Sequence, residues 1–423
     1  MPEYKRKKIH TKRRKSVKPE VSRARVDIPM RRKNSIKPDI TQDSSIRIVR
    51  GKKGERKKRF YVLSAALLAV LLMIVILSIT LPVGLIESSK NLFLSMGSGS
   101  YPADLSGTAT VNCVPKDNYY YVLTDTNIMA FTNDGKRIFS FVHGFSSPVI
   151  ATSQTRAIVF DQGKNTAVIY NLSGIVDVIQ SKDEIVTADI AKNGEYALVT
   201  KSDSYASTIS VYSRKGKSLY KINLAKDMVN NIDIASSGKK IAVSTINGES
   251  GKIVSSVRVF GFNSADPLFK LDLGQDTVYD VENTGRGFFV TTHNKVRYIR
   301  WSKYSVNEFD ASGEISTVRY SDSGFLVVYN KTNDKSNNSV VLFSNFGKKI
   351  SEFDIKGIIN DIRYSRGRIY ATGGNEISIF DKQGEILRND SCDFGAVKTV
   401  VVGSNAVCII TDIQINKNIV KKG

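Results

Sequence analysis

Two hydrophobic patterns divide the chain. From Phe60 to Thr80 the sequence FYVLSAALLAVLLMIVILSIT is almost purely apolar, and no charged residue follows until Glu87. About 20 such residues, rising ~1.5 Å each in a helix, cross the ~30 Å hydrocarbon core of a bilayer. A helix of a soluble domain rarely runs this long without a polar face. The pattern therefore predicts a transmembrane helix over residues 60–86, ending around Pro82 and Gly84. A cleavable signal peptide fits less well, because the run begins only at residue 60 and the exit LPVGLIESSK lacks a small-x-small cleavage pattern.

Residues 87–100, closing on SMGSGS, read as a linker. From residue 101 the pattern changes to short runs rich in Val, Ile, Tyr, Phe and Thr, separated by glycine turns, with no sustained 3.6-residue stripe. Two units recur. In the first, an aromatic residue precedes a glycine by four positions: FTNDG (Phe131, Gly135), YNLSG (Tyr170, Gly174), YSRKG (Tyr212, Gly216), FSNFG (Phe343, Gly347) and FDKQG (Phe380, Gly384). Each is flanked by β-runs, as in a hairpin whose turn needs φ > 0. FDASG (Phe309, Gly313) has the same spacing but falls one strand out of phase.

The second unit is a β-run, a glycine turn and a strongly apolar strand, as in IAKNGEYALVT and IASSGKKIAVS. Its glycines Gly194, Gly238, Gly285, Gly324 and Gly367 are spaced by 44, 47, 39 and 43 residues. Several strands per repeat of ~40–45 residues is the spacing of propeller blades. The two units laid end to end give four-stranded blades at about 108–147, 149–180, 185–227, 228–276, 277–312, 313–357 and 358–395. The last piece, VKTVVVG, NAVCIIT and DIQINKNIV, supplies three strands, and YPADLSG (Tyr101 to Gly107) is the candidate fourth. Such closure removes a free edge. The expected fold is an all-β, eight-bladed propeller over 101–423, or seven-bladed if the last piece is shared differently with the first blade. A turn glycine such as Gly238 should be costly to replace wherever φ is positive, on the order of 1 kcal/mol or more.

Charge adds topology. The chain has 62 Lys and Arg against 40 Asp and Glu, a net +22. Residues 1–59 hold 23 of the basic and 6 of the acidic side chains, so this segment carries +17 and the rest +5. With Pro2, Pro19, Pro29 and Pro38 and few large apolar residues, 1–59 reads as a disordered basic tail. The block GKKGERKKR (Gly51 to Arg59) directly before the apolar run places the N-terminus in the cytoplasm and residues 87–423 outside. The clusters beyond it suit anionic lipid headgroups. No aromatic interleaving or nucleic-acid motif accompanies them, so specific nucleic-acid reading is not expected.

The entry YPADLSG, the hairpin YVLTDTNIMAFTNDGK and FVHGFSSP (Phe141 to Pro148) follow a basic tail and a single anchor. Together they resemble an uncharacterised family of single-pass, membrane-anchored, propeller-like proteins from clostridia-type Gram-positive bacteria. The resemblance implies an envelope location and a WD40-like or quinoprotein-like propeller, and carries over no catalytic residue.

Candidate chemistry is sparse. A quinone-dependent propeller enzyme would want a ring of Trp, and only Trp301 is present. His10, His143 and His293 are isolated, without metal-ligand spacing, and His143 reads as a structural hydrogen-bonding residue. No GxSxG elbow, P-loop or dinucleotide fingerprint occurs. Glycoside cleavage would need two opposed carboxylates in the channel, and the adjacent acids Asp183 and Glu184 read rather as turn and surface residues. Cys113 and Cys408 lie in apolar β-runs as buried thiols, and a Cys392–Cys408 disulfide is conceivable outside the membrane. The expectation is no catalytic, cofactor or metal site, and a non-enzymatic envelope scaffold that binds another envelope protein. A sensor for a cell-wall glycan or small ligand is the alternative, and a glycoside hydrolase the third reading.

Overall fold

In each blade a glycine or short polar turn joins strands whose inner members are almost wholly apolar. In the computed structural model, which describes residues 61–69, 83–105, 108–321, 323–332, 334–392, 398–403 and 406–419, these strands form eight four-stranded antiparallel sheets. Seven are consecutive meanders over 110–142, 148–180, 185–224, 228–274, 280–310, 314–356 and 361–391, hereafter blades 1 to 7, with strands a to d in chain order. Blade 8 combines Lys398–Gly403, Ala406–Ile410 and Gln414–Ile419 with Ala103–Asp104, which takes the outer d position. The protein is an eight-bladed β-propeller closed by its own N-terminal strand, and the seven-bladed alternative falls.

The core lies between the blades rather than inside one sheet. Among the described residues there are eight apolar clusters, one at each blade junction. Each b strand is packed on both faces: Tyr119–Thr124 and Arg156–Asp161 are buried throughout. The d strands alternate, as in Phe269–Gly274, because one of their faces looks into solvent. Phe289 of blade 5 stacks on Phe325 of blade 6 with ring centroids 4.1 Å apart. The a strands contact one another from blade 1 through blade 5, from blade 6 through blade 8, and from blade 8 back to blade 1. They therefore surround the central channel.

Closure rests on more than the two-residue strand. Leu105 N–H donates to the Ile413 carbonyl at 2.9 Å, and Leu105 is fully buried in the blade 8 to blade 1 cluster. The Tyr101 hydroxyl receives the Cys408 thiol at 3.1 Å, lies 3.2 Å from the Tyr120 hydroxyl, and donates to the Asn133 carbonyl. Ala103 pairs with Ile415 and Asp104 with Gln414.

Most of the turn glycines adopt positive φ as expected. At Gly238, φ is +68° and an added Cβ would lie 2.0 Å from Glu195 Oε2. Gly324 departs from that reading: it lacks positive φ and is the last paired residue of a tight hairpin, where a Cβ would strike the Phe343 carbonyl oxygen at 2.7 Å. Phe309 lies on a d strand, in keeping with the out-of-phase reading of FDASG.

The segment before the ring corrects two expectations. Val83–Leu94 is an α-helix, so the residues read as a helix end and a linker form an element of their own. The reason is tertiary. Glu87, nominally a linker residue, is buried against the propeller, where it meets Arg156 at 3.1 Å, receives the Asn171 amide at 2.7 Å and pairs with Arg214. Asn91 donates to the Thr155 carbonyl at 2.9 Å, and Lys136 reaches the Met96 carbonyl. Of the predicted membrane span, residues 61–69 are helical and 70–82 lie outside the described residues, as does the basic tail 1–59. Among the described residues no helix is long and apolar enough to cross a membrane.

Candidate functional site

An innermost propeller strand has one edge without a strand neighbour, so its backbone N–H groups need other acceptors. Here carboxylates supply them across blade junctions. Asp189 on strand a of blade 3 accepts from the Ile234 N–H of blade 4 at 2.7 Å, and Asp233 of blade 4 accepts from the Asn283 N–H of blade 5 at 2.7 Å. Asp361 of blade 7 accepts from the Thr399 N–H of blade 8 at 2.9 Å.

The channel wall is polarised. Blades 3 to 5 contribute Asp189, Asp233, Asp280 and Glu282. Burial holds the carboxyls of all four above the ordinary range, with Asp280 pushed up to about 6 and mutual repulsion adding to the shifts of Asp233 and Glu282. The field of Lys116, from blade 1, offsets part of the shift at Glu282. On the other arc, Arg319 and Arg363 flank the buried Asp361 through their Nε atoms at 3.1 and 3.0 Å. Burial lowers the pKa of Lys398 there, and Arg319 adds to the effect. A carboxyl with a pKa near 6 exchanges protons near neutrality, and an acidic arc facing a cationic one suits a zwitterionic or polar ligand.

The residues singled out in the sequence do not join this site. Glu184 of the acidic pair is tied to Lys201 at 2.5 Å in the exposed loop between blades 2 and 3. His143 accepts from the Phe145 N–H at Nδ1 and therefore donates from Nε2 to the Thr124 carbonyl, a structural role as expected. His293 is exposed beside Tyr279. Trp301 packs on Phe288 and donates to Asn283 Oδ1 at 3.2 Å. Cys113, Cys392 and Cys408 are buried thiols rather than disulfide partners, and burial pushes the Cys408 thiol up to about 11. Among the described residues no group of His, Cys, Asp and Glu is arranged to hold a metal ion.

The channel acids had a signal in the sequence. Asp189 and Asp233 both stand five residues before a turn glycine, in TADIAKNG and NIDIASSG. Asp280 and Arg319 have the same spacing before Gly285 and Gly324, although in blade 5 the residue in register with Asp189 and Asp233 is Glu282, the turn there being shorter.

A second feature lies at the blade ends. The helix Val83–Leu94 packs on the a–b loop of blade 2 and the c–d turn of blade 3, so the b–c and d–a loops form the opposite face. On that face the b and c strands of blade 4, Lys240–Glu249 and Lys252–Gly261, extend ten residues each to a tip at Ser250 and Gly251. Beside this hairpin is an open cleft of about 420 Å³ spanned by the Asp227–Arg258 pair at 2.8 Å. On the same face Ile253 of the hairpin is exposed, as are Met228, which pairs with Ile246, and Tyr279, just before strand a of blade 5.

Comparison with solved structures supports the fold. The computationally designed Ika8 protein superposes with a TM-score of 0.54 at 13% identity, over 76% of this chain and all of that one. The C-terminal WD40 domain of Sif2 gives 0.54 at 12% identity, over 77% of this chain and 100% of the other. The Dos1 propeller gives 0.53 at 13%, over 75% and 94%. At these identities the likeness is one of fold alone. No curated protein matches the sequence. A family model described as a family of unknown function, DUF5711, matches residues 101–418, from the closing strand to the last strand of blade 8, and the chain belongs to that family.

Proposed function

We propose that the protein is a membrane-anchored, non-enzymatic scaffold whose propeller stands outside the cytoplasmic membrane and binds another envelope protein. The observation that carries this reading is the long blade 4 hairpin on the face opposite the helix, with Ile253 exposed on the hairpin itself and Met228 exposed on the strand that pairs with it. A long strand pair carrying and flanked by exposed large apolar side chains is a surface suited to protein docking. The apolar run Phe60 to Thr80 and the basic block before it supply the anchor and its orientation.

A photocrosslinking residue at Ile253 in the full chain, expressed in the native membrane, is expected to trap a discrete protein adduct. The same residue at Phe346, exposed on the helix side of blade 6, is the control. Equal, diffuse labelling from both positions overturns the assignment. A second reading, a sensor for a polar ligand, is favoured by the opposed charges of the channel, and a glycan or small molecule retained by the propeller without any protein adduct would select it.

A further inference from the structure

The helix Val83–Leu94 is amphipathic in the reverse of the usual sense. Its inward face, Glu87 and Asn91 with Ser95 just beyond the helix, is polar and buried. Its outward side carries Leu85, Leu92 and Phe93, with Met96 following, at 52, 49, 76 and 57% exposure. The spacing of seven and eight residues from Leu85 puts Leu92 and Phe93 on its side of the helix, with exposed Ser89 between them, and Met96 continues that side just beyond the helix end. The ions underneath fix this orientation, because turning the helix over would leave Arg156 and Arg214 without their carboxylate partner.

We infer that this apolar face rests in the headgroup region of a lipid bilayer, so that the helix is an interfacial foot setting the a–b and c–d loop face of the propeller toward the membrane. The inference rests on the anchor proposed above. Three observations select lipid as the occupant. The apolar run ends at Thr80, three residues before the helix begins, so a chain leaving the bilayer there enters the helix at the interface. Lys90, on the flank of the apolar face, is placed to extend its ammonium to phosphate. The turns on the same side of the ring are the richer in lysine, with Lys136, Lys192, Lys215, Lys217 and Lys239 exposed beside fewer acids such as Asp117 and Asp134, whereas the opposite loops mix Lys164, Lys201 and Lys226 with Asp125, Asp183, Asp203 and Asp412. An apolar helix face bordered by lysines is the pattern of an interfacial helix on anionic lipid. The blade 4 hairpin would then point away from the membrane.

The test uses the full chain reconstituted in phosphatidylcholine–phosphatidylglycerol vesicles, with an environment-sensitive fluorophore on Phe93→Cys or, in a second preparation, on Tyr205→Cys in the opposite b–c loop. The native cysteines are buried, so labelling is selective. Phe93 and Tyr205 are both exposed, and neither substitution disturbs the core. Label at 93 is expected to shift to the blue and to lose emission to a lipid-borne nitroxide, while label at 205 loses emission only to aqueous iodide. If the chain floats with the vesicles but label 93 responds to iodide alone, the foot is refuted and the anchor stands. If label 93 is shielded from both quenchers, protein covers the face and the inference is overturned. If the chain does not float, anchor and foot both fall.

Discussion

At the residue scale, the channel acids give the protein a signed pH dependence. An aspartate whose pKa rises on folding binds its proton more tightly in the folded state. That contribution favours folding at low pH and is lost as pH rises from the ordinary carboxylate value, ~4, through about 6 for Asp280. Asp189, Asp233 and Glu282 shift in the same direction. Glu308 and Glu352, held low by their lysine, arginine and tyrosine partners, act oppositely, losing stabilisation as pH falls through the acid range. Melting curves of the full protein should therefore show a fall in Tm from pH 5 to pH 7, and Asp280→Asn should flatten that fall. An unchanged slope in the variant would mean that Asp280 titrates normally. The glycines show how far residue type alone carries. Gly238 has the positive φ its turn demands, whereas Gly324 owes its place to the approach of a neighbouring strand, which no local pattern encodes.

At the element scale, the helix before the ring is the feature that local sequence conceals. ESSKN reads as polar linker because Glu87, Ser88, Ser89 and Lys90 suit water, and the two guanidiniums that bury Glu87 come from Arg156 and Arg214, 69 and 127 positions along the chain. Removing one member of a buried ion cluster leaves its partners desolvated and unneutralised, at a cost of ~3–5 kcal/mol. Glu87→Ala should release the helix rather than unfold the blades, since none of the apolar clusters at the blade junctions includes Glu87. Limited proteolysis is expected to cut within residues 83–100 in the variant and to leave the fragment from about 101 onward intact. Protection of this segment equal to the parent's would show that the apolar and backbone contacts suffice.

At the scale of the whole molecule, each sheet buries its faces only against its neighbours, so the ring is one cooperative unit. Deletion of Ile409 to Gly423 removes Ile410 and Ile415 from the blade 8 to blade 1 cluster and leaves Ala103–Asp104 without a strand to pair with. The deletion is expected to abolish the cooperative melting transition of the entire domain, as followed by circular dichroism. A truncated chain that still melts cooperatively and resists protease would refute closure by the N-terminal strand.

The repeat of glycine turns and apolar runs is enough to place blades 1 to 7, because each is a local meander whose strands follow one another in sequence, and the three strands left over at the end point to the split blade 8. The apolar run and its basic flank carry only the proposal of an anchor, since most of them lie outside the described residues. What required the tertiary structure were relations between residues far apart: Glu87 between two arginines, carboxylates of one blade capping the backbone of the next, and the sorting of channel charges into an acidic and a cationic arc. A charge in a repeat looks like surface until ring closure brings every a strand to one axis. Closure alone desolvates those side chains, and desolvation is what shifts their titration.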